Sequence, residues 1–586
     1  MTPTSPRSTT AALGALALGA LLGALLGVAA CGGGGGGGGG GGSSPLLAVG
    51  EAEPNDAPGG ANSLLVGQPG EGNLAAAGDI DWWRVELARG EVVQLEIFAA
   101  RADQSTWDAN PTPGIVRVDV FQPDGLTLWR SHDFIPAAAP GAPSFGHRPQ
   151  DLDISFLRAP LDGEYLIRLR AIASDPSGGD YVVRLRKAAF GTTALEQENL
   201  GVSGVNDTVA TAQPLAPGAL FGAQSPGDID VYAIQVAAPA LVSFDLHAER
   251  GGMLAGAGDY LDMALTLLAS DGVTELATSD NTHFADPRFE YALSTPGQYF
   301  LRVEQARGAV AGEYMLVHGV TPRGAVVVES LNNDTVGSAE PLALGVWIEG
   351  SVTRGDEDYF AFPLSAGDMF EVHVLDGSNC DDRSGVAVAG LLRPDGVTPL
   401  QGGGSWISRK LSAIAPQSGT YFLHMTHDGS LATYRARVRV VRSGGFESEP
   451  NDARAQAPLL AAGARFAGAI DASGSDEDLY RVELEAGRLY VFQCYAGWAT
   501  NGGSGERGSW GSTAAVALAV YDDSPVLNEM ATSTMAANFA LTEGIAELEP
   551  AVSLAFVPAL TGTYYVVVRE AQGRFGPDHL YVLERR

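Results

Sequence analysis

The sequence is poor in cysteine and lysine, and positive charge is scarce throughout. Three Cys among 586 residues cannot form a disulfide framework, so the stability of the fold must come from packing. Lys187 and Lys410 are the only lysines, and 36 basic against 69 acidic residues give a net charge of −33. So acidic a chain repels phosphates, which excludes nucleic acid as an expected partner. Its many carboxylates suit divalent cations instead.

Short catalytic motifs are also missing. The nine His are scattered, and the sequence has no His-Glu-x-x-His helix, no Gly-x-Ser-x-Gly elbow and no Gly-x-x-x-x-Gly-Lys loop. Cys494 lies in a strand-like run and is interpreted as a buried thiol, with a disulfide to Cys380 as the alternative. His424 and His427 are three residues apart but in a strand-to-turn context, which disfavours a metal pair. We therefore expect no enzyme activity.

The N-terminus has the pattern of an exported, lipid-anchored protein. An apolar run from Ala11 to Ala30 could span a bilayer, so a retained helix is one interpretation. The small residues before Cys31, however, resemble the lipobox of bacterial lipoproteins, which predicts a signal peptide over residues 1–30 and lipid on Cys31. Residues 31–50 are then predicted to comprise the lipidated Cys31 and a Gly/Ser tether, in which the eleven glycines Gly32 to Gly42 cannot fold. Gly32 is not the Asp that favours inner-membrane retention, so we expect the outer membrane of a Gram-negative bacterium.

Four sequence markers recur in the same order along the rest of the chain. The first marker is an acidic entry ending in Asn-Asp, and the second is Asp-x-Asp followed within two residues by an aromatic side chain. The gap between them is 23, 21, 22 and 24 residues, too narrow a spread to be chance. The third marker is Gly-x-Tyr and the fourth is a closing Tyr. The closing tyrosines are Tyr181, Tyr314, Tyr434 and Tyr581.

Short β-rich runs between Gly, Pro and Asp turns predict an all-β protein. No long amphipathic helix is indicated after residue 50. Each repeat is long enough to bury its own core, so we expect four independent β-sandwich domains rather than solenoid coils. The predicted domains are 51–190, 191–322, 323–443 and 444–586.

These markers together resemble the bacterial pre-peptidase C-terminal (PPC) domain, four times over. The resemblance is closest in repeats one and four, while repeats two and three are divergent. It implies four tandem jelly-roll-like sandwiches, similar to the collagen-binding domains of clostridial collagenases. Such domains are usually appended to secreted peptidases, but no peptidase accompanies them here.

The acidic markers of the outer repeats contain enough oxygen ligands for calcium. An extended Glu-x-Glu places two carboxylates on one face, and the Asp-x-Asp pair does the same. Similar positions bind calcium in the collagen-binding relatives, so the resemblance implies two sites. They comprise Glu51, Glu53, Asn55, Asp56, Asp79 and Asp81 in repeat one, and Glu447, Glu449, Asn451, Asp452, Asp476 and Asp478 in repeat four.

The alternative interpretation of these acidic residues is turn chemistry, in which Asn and Asp side chains bind nearby backbone groups. In repeat two, Val202 and Gly204 are taken to occupy the two Glu positions, so no calcium is expected there. Repeat three keeps Glu329 but has Leu331 at the second position. The two marker tyrosines are expected to be core and corner residues rather than ligand contacts.

Two classes of function follow. The first is a non-catalytic surface lipoprotein whose repeats bind an extracellular protein or polysaccharide, with avidity from repetition. The second is a calcium-stiffened spacer or an accessory subunit of an envelope or peptidase complex. An exposed aromatic cluster on one sandwich face would favour binding, and its absence would favour the structural role.

Overall fold

The computed structural model describes most of the chain after the tether. The residues described are 46–586 except 75–77, 99–115, 134–150, 172–179, 189, 191, 199–203, 249–250, 253–260, 281–285, 308–309, 325, 331, 353–354, 377–386, 403–409, 427–431, 471–475, 497–513, 515, 535–551, 572, 574, 577 and 578. The predicted signal peptide, the lipidation of Cys31 and the glycines of the tether lie outside these residues and stay predictions. The last residues assigned to the tether are described, and Val49–Gly50 pair with the first sheet, so the first repeat begins before residue 51.

The fold is all-β, as predicted. The strands of the first two repeats are β1 (Val49–Gly50), β2 (Asn62–Ser63), β3 (Pro69–Asn73), β4 (Ile80–Leu87), β5 (Val92–Phe98), β6 (Val116–Phe121), β7 (Leu128–Asp133), β8 (Asp151–Arg158), β9 (Gly163–Ala171), β10 (Asp180–Lys187), β11 (Thr193–Leu195), β12 (Gln213–Pro214), β13 (Gly218–Gln224), β14 (Ile229–Val236), β15 (Ala240–His247), β16 (Asp262–Leu268), β17 (Glu275–Ser279), β18 (Arg288–Leu293), β19 (Gly297–Arg307) and β20 (Gly312–Pro322).

The last two repeats continue the same series. Their strands are β21 (Val326–Val328), β22 (Glu340–Pro341), β23 (Trp347–Val352), β24 (Asp358–Leu364), β25 (Met369–Asp376), β26 (Ala387–Leu392), β27 (Pro399–Gly402), β28 (Lys410–Ile414), β29 (Gly419–Thr426), β30 (Ala432–Arg442), β31 (Gly445–Phe446), β32 (Arg465–Ala469), β33 (Asp478–Leu484), β34 (Tyr490–Ala496), β35 (Val516–Asp522), β36 (Glu529–Thr534), β37 (Val552–Phe556), β38 (Gly562–Glu570) and β39 (Leu580–Arg585). The helices described are single 3-10 turns at Pro58–Gly60 and Val336–Ser338. None of the helices in the described part of the chain is long and apolar enough to cross a membrane.

Each repeat contributes two sheets, and their strand order repeats. The first sheets are β1-β3-β10-β5-β8, β11-β13-β20-β15-β18, β21-β23-β30-β25-β28 and β31-β32-β39-β34-β37. The second sheets are β2-β4-β9-β6-β7, β12-β14-β19-β16-β17, β22-β24-β29-β26-β27 and the four-stranded β33-β38-β35-β36. A short leading strand pairs in parallel at one edge, and the remaining ladders are antiparallel. No described sheet mixes strands of two repeats.

A separate apolar core fills the space between the two sheets of each repeat. In β5 the side chains alternate, so that Val93, Leu95 and Ile97 are buried in the core. This is the period-two pattern of a strand with one face on a core. The Tyr of each Gly-x-Tyr marker donates its hydroxyl to a backbone carbonyl four residues earlier, as Tyr421 does to Gln417 at 2.6 Å. These residues are therefore corner residues, as the sequence indicated.

Adjacent repeats share smaller apolar clusters on the outer faces of their first sheets. Phe156 of repeat one packs with Phe221 and Met315 of repeat two. At the next junction Leu241 of repeat two packs with Trp347 of repeat three. At the last junction Met369 of repeat three packs with Tyr495 of repeat four. A polar pair crosses each junction as well: the ion pairs Arg130–Glu313 and Arg442–Glu584, and His373 beside Glu290. The repeats are therefore in close contact, which the sequence pattern did not indicate.

Candidate metal centre

The closing tyrosine of every repeat reaches a pair of carboxyl groups. In repeat four, the Tyr581 hydroxyl lies 2.6 Å from Glu447 Oε2 and 2.7 Å from Asp478 Oδ2. Its hydroxyl is also 2.6 Å from that of Tyr480. Because one hydroxyl has a single proton to donate, it cannot satisfy two ionised carboxylates at once. The Tyr480 hydroxyl lies 3.0 Å from Glu447 Oε2, so it can donate to Glu447 while Tyr581 donates to Asp478.

The same carboxylate–tyrosine network occurs in the other three repeats. Its members are Glu51, Asp81 and Tyr181 in repeat one, Glu196, Asp230 and Tyr314 in repeat two, and Glu329, Asp358 and Tyr434 in repeat three. The second oxygen of each Glu accepts a backbone N–H from the first sheet, as Glu447 does from Ala469 at 2.6 Å. The closing tyrosines are buried in the four cores, as predicted, and their hydroxyls contact the candidate metal-binding carboxyl groups.

A glycine makes room for each network, and sequence reasoning missed it. Gly468 lies directly across the ladder from Tyr581. A Cβ on Gly468 would be 2.4 Å from both the Tyr581 ring and Glu447 Oε2. The equivalent residues Gly72, Gly222 and Gly350 are equally crowded. A glycine at a fixed distance after the first Glu was the available signal, since Gly72, Gly350 and Gly468 each follow it by 21 residues.

Repeat four gathers all of its predicted residues. Ligand oxygens of Glu447, Glu449 and Asp478 lie within 4.8 Å of one another, and so do those of Glu449, Asp452 and Asp476. Asn451 joins the two groups, because its side-chain amide donates to Glu447 at 3.1 Å and its backbone N–H donates to Glu449 at 3.1 Å.

Repeat one gathers fewer of its predicted residues. Glu51, Glu53 and Asp81 form one group within 4.8 Å, whereas Asp56 and Asp79 are not part of it among the residues that the structure describes. Asn55 is buried beside this group, and in its best orientation its amide donates to Glu53 at 3.2 Å and to Asp81 at 3.1 Å.

The expectation that repeat two lacks both Glu residues is wrong. Glu196 and Glu198 occupy the two positions, not Val202 and Gly204. Glu196 donates its N–H to Phe221, exactly as Glu447 does to Ala467. The error came from the spacing, because Asn206 follows Glu196 by ten residues, where the other repeats have four. Repeat two also has an outer group of Glu198, Asp207 and Asp228 within 4.8 Å.

Several buried oxygens in these clusters have no hydrogen-bond donor. They are Asp81 Oδ2 in repeat one, Glu198 Oε2, Asn206 Oδ1 and Asp230 Oδ1 in repeat two, and Asn451 Oδ1 and Asp478 Oδ1 in repeat four. Leaving such atoms unpaired is costly, so a partner outside the protein is expected. In repeat three, by contrast, Asn333 is best oriented to donate to Asp358 Oδ1 at 3.3 Å. Repeat three therefore satisfies its own network.

Burial and mutual repulsion make these carboxyl groups weak acids. Desolvation, with the nearby charge of Glu447, raises the pKa of Asp478 to about 9. Desolvation and the contact with Glu196 raise the pKa of Asp230 to about 10. The pKa of Asp81 rises to about 8 and that of Asp358 to about 7, again mainly through burial. Either a shared proton or a cation must offset this repulsion near neutral pH.

The donor set fits a hard divalent cation. Calcium prefers carboxylate and amide oxygens at about 2.3–2.6 Å, and oxygens bound to one such ion lie within about 5 Å of each other. The clusters of repeats two and four meet this requirement most fully, because each adds an unsatisfied amide oxygen to its carboxylates.

Fold and site together define an all-β protein of tandem two-sheet sandwiches with a carboxylate–tyrosine network in each. No protein-family model matches the chain, and no curated protein matches it. Among solved structures, the chain is similar to the pre-peptidase C-terminal domain of a collagenase from Bacillus anthracis, with 21% identity over 21% of this chain and 100% of that one, at a TM-score of 0.16. That is the domain type that the sequence motifs resemble.

Two further likenesses are weaker in sequence. PliG, a periplasmic lysozyme inhibitor from Aeromonas hydrophila, is 15% identical over 22% of this chain and 96% of its own, at a TM-score of 0.14. Tripeptidyl peptidase 2 is 9% identical over 86% of this chain and 32% of its own, also at 0.14. TM-scores this low assign the chain to none of these proteins.

Proposed function

We propose that this chain is a non-catalytic scaffold protein of the cell envelope whose sandwich repeats are stabilised by calcium. The observation that supports this most directly is the set of buried, donor-less oxygens in the clusters of repeats two and four. A lipid on Cys31 would hold the scaffold at the outer membrane, as the N-terminal sequence predicts.

In repeat four, Glu449, Asp452 and Asp476 would hold the cation, together with the free oxygens of Asn451 and Asp478. When bound, calcium would supply positive charge that balances the repulsion between these carboxylates. The cluster joins the leading segment of the repeat to β33, and through Tyr581 to its last strand. Binding would therefore stiffen the connection between the two ends of the repeat.

The four repeats differ in how well they fit this role. In repeat two, Glu198, Asp207 and Asp228 with the Asn206 oxygen form the equivalent set, so we now include repeat two among the calcium sites. Repeat one offers Glu51, Glu53 and Asp81. Repeat three has no such group among its described residues.

Surface composition favours the structural role over ligand binding. Among the aromatic residues that the structure describes, only Phe575 is exposed, at 51%. The most exposed large apolar residues are aliphatic and recur in the corresponding turn of each repeat: Leu126, Val273, Val397 and Val526. The described surface therefore has no cluster of exposed aromatic residues of the kind that binds protein partners.

The proposal is tested by unfolding the full chain in calcium, in magnesium and in chelator. Calcium that binds only the folded state adds RT ln(1 + [L]/Kd), about 2.7 kcal/mol at a hundredfold excess over Kd. We expect calcium to raise the unfolding temperature. Asp476→Asn together with Asp228→Asn should remove most of the effect, since each replaces a carboxylate ligand of an outer group by a neutral amide and so removes one negative charge.

Glu485→Gln is the matched control for these variants. It lies in repeat four with a 60% exposed side chain paired with Arg488, outside the cluster. It should keep the full response to calcium. Equal unfolding in calcium and chelator would contradict the proposal. Calcium-dependent capture of a purified envelope protein or polysaccharide would instead favour the binding role.

A further inference from the structure

We propose that the four repeats close on themselves within one chain, because the segment before β1 contacts the fourth repeat as the leading segments of repeats three and four contact the repeats before them. In each repeat, a turn leads the chain from the second sheet to the first sheet. We call it the inter-sheet turn, and it lies between β4 and β5, β14 and β15, β24 and β25, and β33 and β34.

At two internal junctions, the inter-sheet turn contacts the chain just ahead of the next repeat's first strand. Arg323 directly follows β20 and lies three residues before β21, and its N–H donates to the Pro239 carbonyl at 3.1 Å, which continues the β15–β20 ladder to the entry of repeat three. A Cβ on Gly367 would lie 2.8 Å from the Gly444 carbonyl oxygen, one residue before β31. The turn of one repeat therefore supports the entry to the next.

The same contact joins the fourth repeat to the first. Ala48, one residue before β1, donates its N–H to the Gly487 carbonyl at 2.6 Å. Gly487 occupies in the β33–β34 turn the position that Gly367 has in the β24–β25 turn. A contact that elsewhere links consecutive repeats thus links the last repeat to the beginning of the first.

Burial on the outer face of repeat one agrees with this closure. The residue after each closing Tyr points away from its own core, and a preceding repeat covers it in two cases: Met315 packs with Phe156, and Val582 packs with Met369. Val182 is the equivalent residue of repeat one, and its relative exposure is also 0%. No repeat precedes it in the sequence, and the fourth repeat is the one whose turn reaches this end of the chain.

The closing contact is less apolar than the internal junctions. Leu489, which corresponds to the fully buried Met369, is only partly buried, and Leu47 is 56% exposed. We therefore expect this contact to open before the other three. The glycine tether leads directly into it, so the fourth repeat lies next to the membrane-proximal end of the chain.

A disulfide tests the closure without reference to calcium. The Leu47 Cβ lies 3.7 Å from the position of a Cβ on Gly487, and disulfides join Cβ atoms about 3.5–4.5 Å apart. In the full chain, Leu47→Cys with Gly487→Cys should oxidise to an intramolecular bond, found by peptide mapping in a monomer on a non-reducing gel. Leu47→Cys with Gly90→Cys is the control, since Gly90 is a positive-φ glycine of the equivalent turn in repeat one and has no contact with Leu47.

A folded double variant that stays reduced would overturn the proposal, and so would a bond formed only between two chains. Gly487 has a φ of +73°, so cysteine there is strained and could impair folding. Hydrogen exchange of the unmodified chain is therefore the second measurement. The Ala48 amide should exchange slowly, and Ala48→Pro, which removes this donor, should speed exchange across residues 485–489. Rapid exchange at Ala48 in the folded chain would also overturn the proposal.

Discussion

Replacing Gly468 by alanine should disrupt the fourth repeat more than any exposed substitution. The new Cβ would lie 2.4 Å from the Tyr581 ring and from Glu447 Oε2, so the tyrosine would have to move. Overpacking of this kind costs about 1–3 kcal/mol. Displacing the hydroxyl also weakens the one hydrogen bond that it can donate, to Glu447 or to Asp478, which is worth about 1.5–3 kcal/mol when the acceptor is charged.

The expected loss of stability is therefore about 3–5 kcal/mol, which corresponds to a fall of roughly 10 °C for a unit of this size. Because the chain has several units, calorimetry should be combined with hydrogen exchange of β32 and β39. Gly445→Ala is the matched control, since a Cβ there has no neighbour within 4 Å. If Gly468→Ala unfolds at the same temperature as the unmodified chain, the described arrangement of Tyr581, Gly468 and Glu447 is refuted.

Three further predictions follow from the acidic clusters, the junctions and the N-terminus. In chelator the chain should unfold at a higher temperature at pH 5 than at pH 8, because buried carboxyl groups such as Asp358, with a pKa raised to about 7, hold protons more tightly when folded. The stability that these groups contribute is fully present below their unfolded pKa of about 4, and it declines as the pH rises towards their pKa in the folded chain. A higher unfolding temperature at pH 8 than at pH 5 would count against the buried carboxyl pairs. Met369→Asp should separate the unfolding of repeats three and four and speed proteolysis at residues 442–446, whereas Met530→Asp, at a site 46% exposed, should do neither. Cys31→Ser should release the protein from membranes or leave it unprocessed, and an intact N-terminus at Met1 in the native protein, found by mass spectrometry, would exclude lipidation.

Much of the fold was predictable because its signals are local. Alternating apolar residues and Asp-Gly turns are short-range patterns, and their recurrence along the chain made the strands and turns easy to recognise. In three repeats the turn aspartate accepts the N–H groups two and three residues later, as Asp395 does at 2.9 and 2.8 Å. The residue spacing alone was enough to identify these turns.

The candidate site was only partly predictable. Its carboxylates were visible as Glu-x-Glu and Asp-x-Asp, but an insertion hid Glu196 and Glu198 from a comparison based on fixed spacing. The contact of Tyr581 with Glu447 joins residues 134 positions apart, and no local pattern specifies it. Junction residues such as Met369 could not be predicted for another reason. In the sequence, an apolar side chain on the outer face of a sheet cannot be distinguished from one that faces the core.

The tyrosine that ends each repeat has a consequence for biosynthesis. Glu51 and Tyr181 are 130 residues apart, and in the other repeats the partners are separated by 118, 105 and 134 residues. Contacts this distant in sequence form late and slowly. A repeat that emerges from a ribosome therefore cannot complete its fold until its final strand, which carries the closing tyrosine, has also emerged. We therefore expect the repeats to complete their folds one after another from the N-terminus.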